Sequence, residues 1–193
     1  MDVQHVNVKF FVTAPERVNL EDFLWTFSRW IQEHACEELL VDVADYRHVF
    51  AGPGIILIGH QANYSMDNAG NRLGLLYNRK ARMNGSIRDR LEKAARSALL
   101  ACRRLEEDPF FQGKLKFSGQ ETQLLINDRL LAPNTADTYA ALAPELHAFF
   151  DRLYRGEEYV LKHSHDPRER FTVHATTAAS PNVAQLLTNL EDR

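Results

Sequence analysis

The sequence predicts an α+β protein: a mixed, mainly antiparallel sheet with about four or five helices packed on it as a two-layer sandwich. Two observations predict this. Strand-length apolar stretches are separated by turn signals such as Gly52-Pro53-Gly54, Asp67-Asn68-Ala69-Gly70-Asn71 and Asp166-Pro167, so successive strands meet by hairpins. Between them stand segments with apolar residues at helical spacing, over 20–35 and after Ser86, Thr135 and Ser180. Hairpins with interspersed helices suit an antiparallel sheet covered by helices better than a doubly wound parallel sheet.

Along the chain, Val6, Val8, Phe10 and Val12 alternate with Asn7, Lys9 and Phe11 and mark a first strand with one strongly apolar face. Asn19 is placed to cap a helix over 20–35, whose stripe of Leu20, Leu24, Phe27 and Ile31 is widened by Phe23, Trp30 and His34. Trp25 falls outside that stripe, which sets it at the edge of the core or in a subunit interface. A short strand follows at 39–43.

The central stretch, 51–80, opens on a type II turn at Gly52-Pro53-Gly54-Ile55. It reads as one long hairpin. Ile55, Ile56, Leu57 and Ile58 continue into a polar tip of His60, Gln61, Asn63, Tyr64, Ser65 and Asp67, and Leu73, Leu75, Leu76 and Tyr77 return. A loop centred on Ala69 sets His60 opposite Asn78 and Ile58 opposite Lys80.

Ser86 then caps a long helix that closes at 106–109, with Asp89 where the helix dipole favours negative charge. Two strands are expected at 114–118 and 122–126 around a turn at Gly119-Gln120, with Leu130-Leu131 extending the second. The helix after Thr135 is expected to kink or divide at Pro144 and to stop at Gly156. Strands at 159–163 and 171–175 pair around Asp166-Pro167, and Ser180-Pro181 opens a last helix carrying Val183, Leu186, Leu187 and Leu190. A short echo between Asn71-Arg72-Leu73-Gly74-Leu75-Leu76 and Asn127-Asp128-Arg129-Leu130-Leu131 raises two similar halves, 1–108 and 109–193. With no low-complexity linker between them, the chain reads as a single compact domain over 1–193.

At 193 residues, 45% apolar and 25% charged, the chain has an ordinary globular balance. Its net charge of −3 makes a dedicated nucleic-acid binder unlike it. Cys36 and Cys102 are too few for a disulfide framework, and no apolar run nears the roughly 20 residues a membrane helix needs. With no leader-like N-terminus, the expectation is a cytoplasmic protein without membrane association.

Three groups of residues could carry chemistry. Asp42, Asp45, His48 and His60 would suit a divalent metal or a carboxylate-oriented base, although their spacing matches no metal motif and local turn bonding is the plainer account of them. His163 and His165, with His174 on the returning strand, could chelate if the segment stays extended, but Asp166-Pro167 favours an exposed turn and sets His163 near Arg170 rather than His174. Arg79, Lys80, Arg82, Arg88, Arg90, Lys93 and Arg96 make a local basic run leading into a helix N-terminus, either an anion site or a solvated face. No P-loop, GxGxxG or GxSxG motif is present, so no cofactor or reaction is named.

The reading that follows is a protein binding a small anionic or polar ligand at the central hairpin, through His60, Tyr64, Tyr77, Arg79 and Arg82. The alternatives are a homodimer or other homo-oligomeric interaction protein, and a hydrolase-like or metal-dependent enzyme using the Asp and His residues.

Overall fold

A computed structural model describes residues 2–164 and 166–191 of the chain. The strands are β1 (Val6–Val12), β2 (Leu40–Tyr46), β3 (Gly54–Gly59), β4 (Ala62–Asp67), β5 (Gly74–Arg79), β6 (Phe117–Ile126), β7 (Tyr159–His163) and β8 (Phe171–Thr177). They form one open sheet in the order β2-β3-β4-β5-β1-β6-β8-β7, and every pairing in it is antiparallel. Helices α1 (Asp22–Gln32), α2 (Ile87–Glu107), α3 (Ala136–Tyr154) and α4 (Val183–Glu191) cover one face, giving the expected α+β sandwich. Among the described residues no helix is long and apolar enough to cross a membrane.

The alternation of β1 explains its central place. Val6, Val8, Phe10 and Val12 enter a continuous apolar core with Leu91, Ala94 and Ala98 of α2, and both faces of the strand are buried. Phe23, Phe27 and Trp30 of α1 close the same core over Ile55 and Leu57. Trp25, on the other side of that helix, is 73% exposed. The helix begins later than expected because the Asn19 side chain accepts from Glu21 N at 3.1 Å, closing a local turn first.

The central stretch departs from the single long hairpin. The chain reverses at His60-Gln61, so three strands stand where two are expected, and Ile58 pairs with Asn63 and Asn63 with Asn78. Gly59 is the physical reason. A Cβ there would lie 2.6 Å from the Ala62 carbonyl oxygen, a close approach only glycine permits, and Gln61 O then accepts from Lys80 N and Ala81 N. His60 therefore does not face Asn78, nor Ile58 Lys80.

Phe117–Ile126 is likewise one strand, without the turn expected at Gly119-Gln120. Gly119 serves a close contact, since a Cβ on it would meet Pro181 O at 2.1 Å. Leu130 and Leu131 lie in an exposed turn and extend no pairing. α3 runs through Pro144 undivided, capped by the Thr135 side chain. α4 starts on Asn182, which exchanges hydrogen bonds with Gln185, while Ser180 bonds Gln120 at 2.9 Å.

The stretches 1–108 and 109–193 share an element order of strand, helix, strands, helix, and β1 and β6 lie side by side with β5 and β8 outside them. The short sequence echo does not coincide with this correspondence, because it aligns the entry to β5 with the exit from β6.

Candidate functional site

The five residues expected at the ligand site do not share a pocket. Tyr64 and Tyr77 stand together on the helix-covered face, their rings 5.2 Å apart, with their hydroxyls donating to Glu38 at 2.6 and 3.3 Å. Burial pushes the Tyr77 hydroxyl up to about 12 and raises that of Tyr64 further. They are neutral core donors. His60 is exposed in the β3–β4 turn. Arg79 is buried and clamps that turn through Ala81 O at 2.9 Å and Gln61 at 3.3 Å, whereas Arg82 lies outside on Asp2 at 2.8 Å. Tyr64 does border a cavity of about 530 Å³ with Arg29, Trp30, Cys36 and Arg104. Two of its arginines are held by the chain itself: Arg29 pairs with Asp108, and Arg104 faces Glu33 at 3.7 Å and donates to Ala35 O at 2.9 Å.

The other expected clusters disperse too. Asp45 binds Arg47 at 2.7 Å, Asp42 accepts from Val43 N at 2.8 Å, and His48 stacks on Tyr46. His163 stacks on Tyr139 and bonds Asn134 at 2.8 Å, while its register partner is Val173 rather than Arg170. His174 projects to the opposite face of the sheet, and His165 lies outside the described residues. Among the described residues no group of His, Cys, Asp and Glu could hold a metal.

Four cations of the basic run are paired with carboxylates. Arg82 and Arg90 hold Asp2, Arg88 faces Glu92 at 3.3 Å, and Arg96 lies between Glu37 and Glu191. The N-terminus of α2 is closed by the chain itself, with Ser86 and Asp89 in a capping box and Glu145 accepting from Arg88 N.

The sheet face that carries no helix holds a different constellation. Because alternate residues share a face, Asn7 and Lys9 of β1 point there with Asn78 of β5, Asn63, Ser65 and Asp67 of β4, Gln123 of β6 and His174 of β8. Lys9 Nζ donates to Asp67 at 2.5 Å, and both are almost fully buried. Burial pulls the Lys9 ammonium below its usual range while Asp67 draws it back up. Gln123 and His174 meet at 3.3 Å, and Arg72 pairs with Glu121, holding that carboxyl below the usual carboxylate range.

A cleft of about 490 Å³ opens on this face, within the ordinary range of small-ligand pockets. Asp67, Leu76, Gln123, Leu125, Thr172 and His174 line it together with Arg129, Arg168, Arg170 and the Glu169 carboxylate, which accepts from Ser164 at 2.7 Å. Arg168 is matched to Asp166 at 2.7 Å. Among the described residues Arg129 bonds the Arg168 carbonyl at 2.7 Å, and neither Arg129 nor Arg170 has a carboxylate partner. None of these groups follows from local spacing; only the Asn7 and Lys9 alternation on a middle strand points toward them.

Comparison with known proteins returns no match: no family model fits the chain, and no curated protein or solved structure is similar to it.

Proposed function

We propose that this chain binds a small anionic ligand in the cleft on the helix-free face. The observation that carries the reading is the pair of guanidinium groups, Arg129 and Arg170, which line the cleft without an ion pair among the described residues, while its carboxylates are engaged elsewhere, Asp67 by Lys9 and Glu169 by Ser164. Guanidinium groups favour carboxylate and phosphate because their donors match two oxygens at once. β4 and β5 still contribute Asp67 and Leu76, so the central stretch keeps a share in the site while Tyr64, Tyr77 and Arg79 serve the core.

The test is a thermal-shift screen with phosphorylated and carboxylated metabolites on the wild type, Arg129→Ala and Arg170→Ala. A ligand at a hundred times its Kd raises stability by about 2.7 kcal/mol. Each alanine is expected to lower affinity roughly tenfold or more, in keeping with the loss of a charge-assisted hydrogen bond. Hits that persist in both variants would place the anion elsewhere.

A second reading is self-association through the open β2 edge, beside which Leu39 and Val41 are exposed. Native mass spectrometry of protein from its own host separates the two. A non-covalent mass lost on denaturation supports the ligand, and a bare dimer supports the edge.

A further inference from the structure

We infer that the anion bound in this cleft carries hydroxyl groups, as a sugar phosphate or a sugar acid does, and that Gln123 reads them. The inference rests on the anionic-ligand reading and deepens it. Gln123 lines the cleft and is half-buried, so its side chain can touch what the cleft holds. Its orientation is set from behind. Arg72 grips both oxygens of the Glu121 carboxylate, and His174 Nδ1 faces the same carboxylate at 3.5 Å. The imidazole proton therefore lies on Nδ1, and His174 Nε2 accepts from Gln123 Nε2 at 3.3 Å. With its amide nitrogen so engaged, Gln123 presents Oε1, which has no hydrogen-bond partner among the described residues.

The second acceptor is Asp67. It lines the same cleft, accepts from Lys9 Nζ at 2.5 Å and from Ala69 N at 3.2 Å on Oδ1, and receives no hydrogen bond on Oδ2 among the described residues. Lys9 offsets its charge. One part of the cleft thus offers acceptor oxygens without net charge, whereas another offers cations. The register separates them. Gln123 pairs with His174 and Leu125 with Thr172, while Arg170 stands just before β8, four residues of roughly 3.3 Å each from His174. Arg129 follows β6 at that same end, and a short carbon chain spans the row between.

The chemistry of these acceptors selects the group they bind. A plain methylene chain would take water from both oxygens and return no hydrogen bond, which is destabilising. An ammonium would find no net negative charge to offset its own desolvation. A hydroxyl donates one hydrogen bond and carries no charge, so it suits Gln123 and the Lys9-paired Asp67 alike. Arg129 and Arg170 take the acid group.

The full chain is titrated calorimetrically with glucose 6-phosphate and gluconate and with their unhydroxylated counterparts, hexyl phosphate and hexanoate, in the wild type and in Gln123→Leu. The wild type is expected to bind a hydroxylated anion roughly tenfold or more tighter than its plain counterpart. Gln123→Leu is expected to erase most of that preference and to leave the plain anion binding as before. Gln123→Met repeats the comparison should the leucine variant not fold. A preference within one pair alone supports the inference and names the acid group as phosphate or as carboxylate. Equal binding within both pairs, or a preference unchanged in the variants, overturns the inference and leaves the anion site standing. Failure of all four anions to bind overturns both.

Discussion

Cys36 and Tyr77 hold protons that the folded chain protects. Burial raises the Cys36 thiol from an ordinary 9.0 to about 12, and the Tyr77 and Tyr154 hydroxyls from 10.0 to about 12. The folded state therefore keeps protons that the unfolded chain releases between about pH 9 and about pH 12. By linkage, the stabilisation these groups give is complete below about pH 9 and is lost as pH rises through about 12. Urea midpoints are expected to be level from about pH 7 to about pH 8.5 and to fall steadily above that, with Cys36→Ala shallowing the fall. Glu38→Gln is expected to shallow it as well, because the Glu38 charge helps to raise both Tyr64 and Tyr77. Midpoints that stay level to about pH 11 would mean that solvent reaches these groups. None of this environment was legible residue by residue. Tyr64 and Tyr77 read as a ligand site because they are polar groups near cations in sequence, yet the pleat turns them to the helices. Asn7 and Lys9 read only as residues alternating with the apolar face of a strand. Lys9 meets its carboxylate partner 58 residues away, so no spacing announces the pair.

At the scale of elements, the helices were the more legible because caps and apolar stripes are local. Ser86 with Asp89 and Thr135 with its helix stand as expected. The strands were less so, because the same glycine that signals a turn also permits close packing. Gly119 shows which effect won: β6 continues straight, and the glycine admits Pro181 O just before α4. Gly119→Ala must then displace backbone rather than a flexible side-chain tip, and it is expected to cost about 1–3 kcal/mol and to loosen α4. Gly70→Ala provides the contrast. It has nothing within 4 Å and a φ of +66°, so it bears only the left-handed penalty of about 1–2 kcal/mol. Urea denaturation gives both costs, and hydrogen exchange distinguishes their causes. Faster exchange across α4 is expected in Gly119→Ala alone, and equal exchange in the two variants would mean the Pro181 contact contributes little.

Over the whole molecule, the fold class was legible because hairpin connections dictate antiparallel neighbours whatever the register. The cleft was not, since it gathers β4, β5, β6, β8 and three connecting segments that only the finished sheet brings together. The same sheet decides whether the halves can stand apart. β1 pairs with β5 on one side and β6 on the other, and one apolar core runs from Phe27 through Leu99 to Phe150 and Leu187. Cutting between 108 and 109 would leave β1 and β6 each with a freshly opened edge, and would uncover the sides of α2 that meet α3 and α4. Residues 1–108 and 109–193 produced separately are therefore expected to show no sharp thermal transition, and to regain one when mixed. The intact chain is expected to unfold in one step, with calorimetric and van't Hoff enthalpies in agreement. A cooperative transition in the isolated first piece would show that five strands and two helices suffice, and that β6 joins a domain already folded.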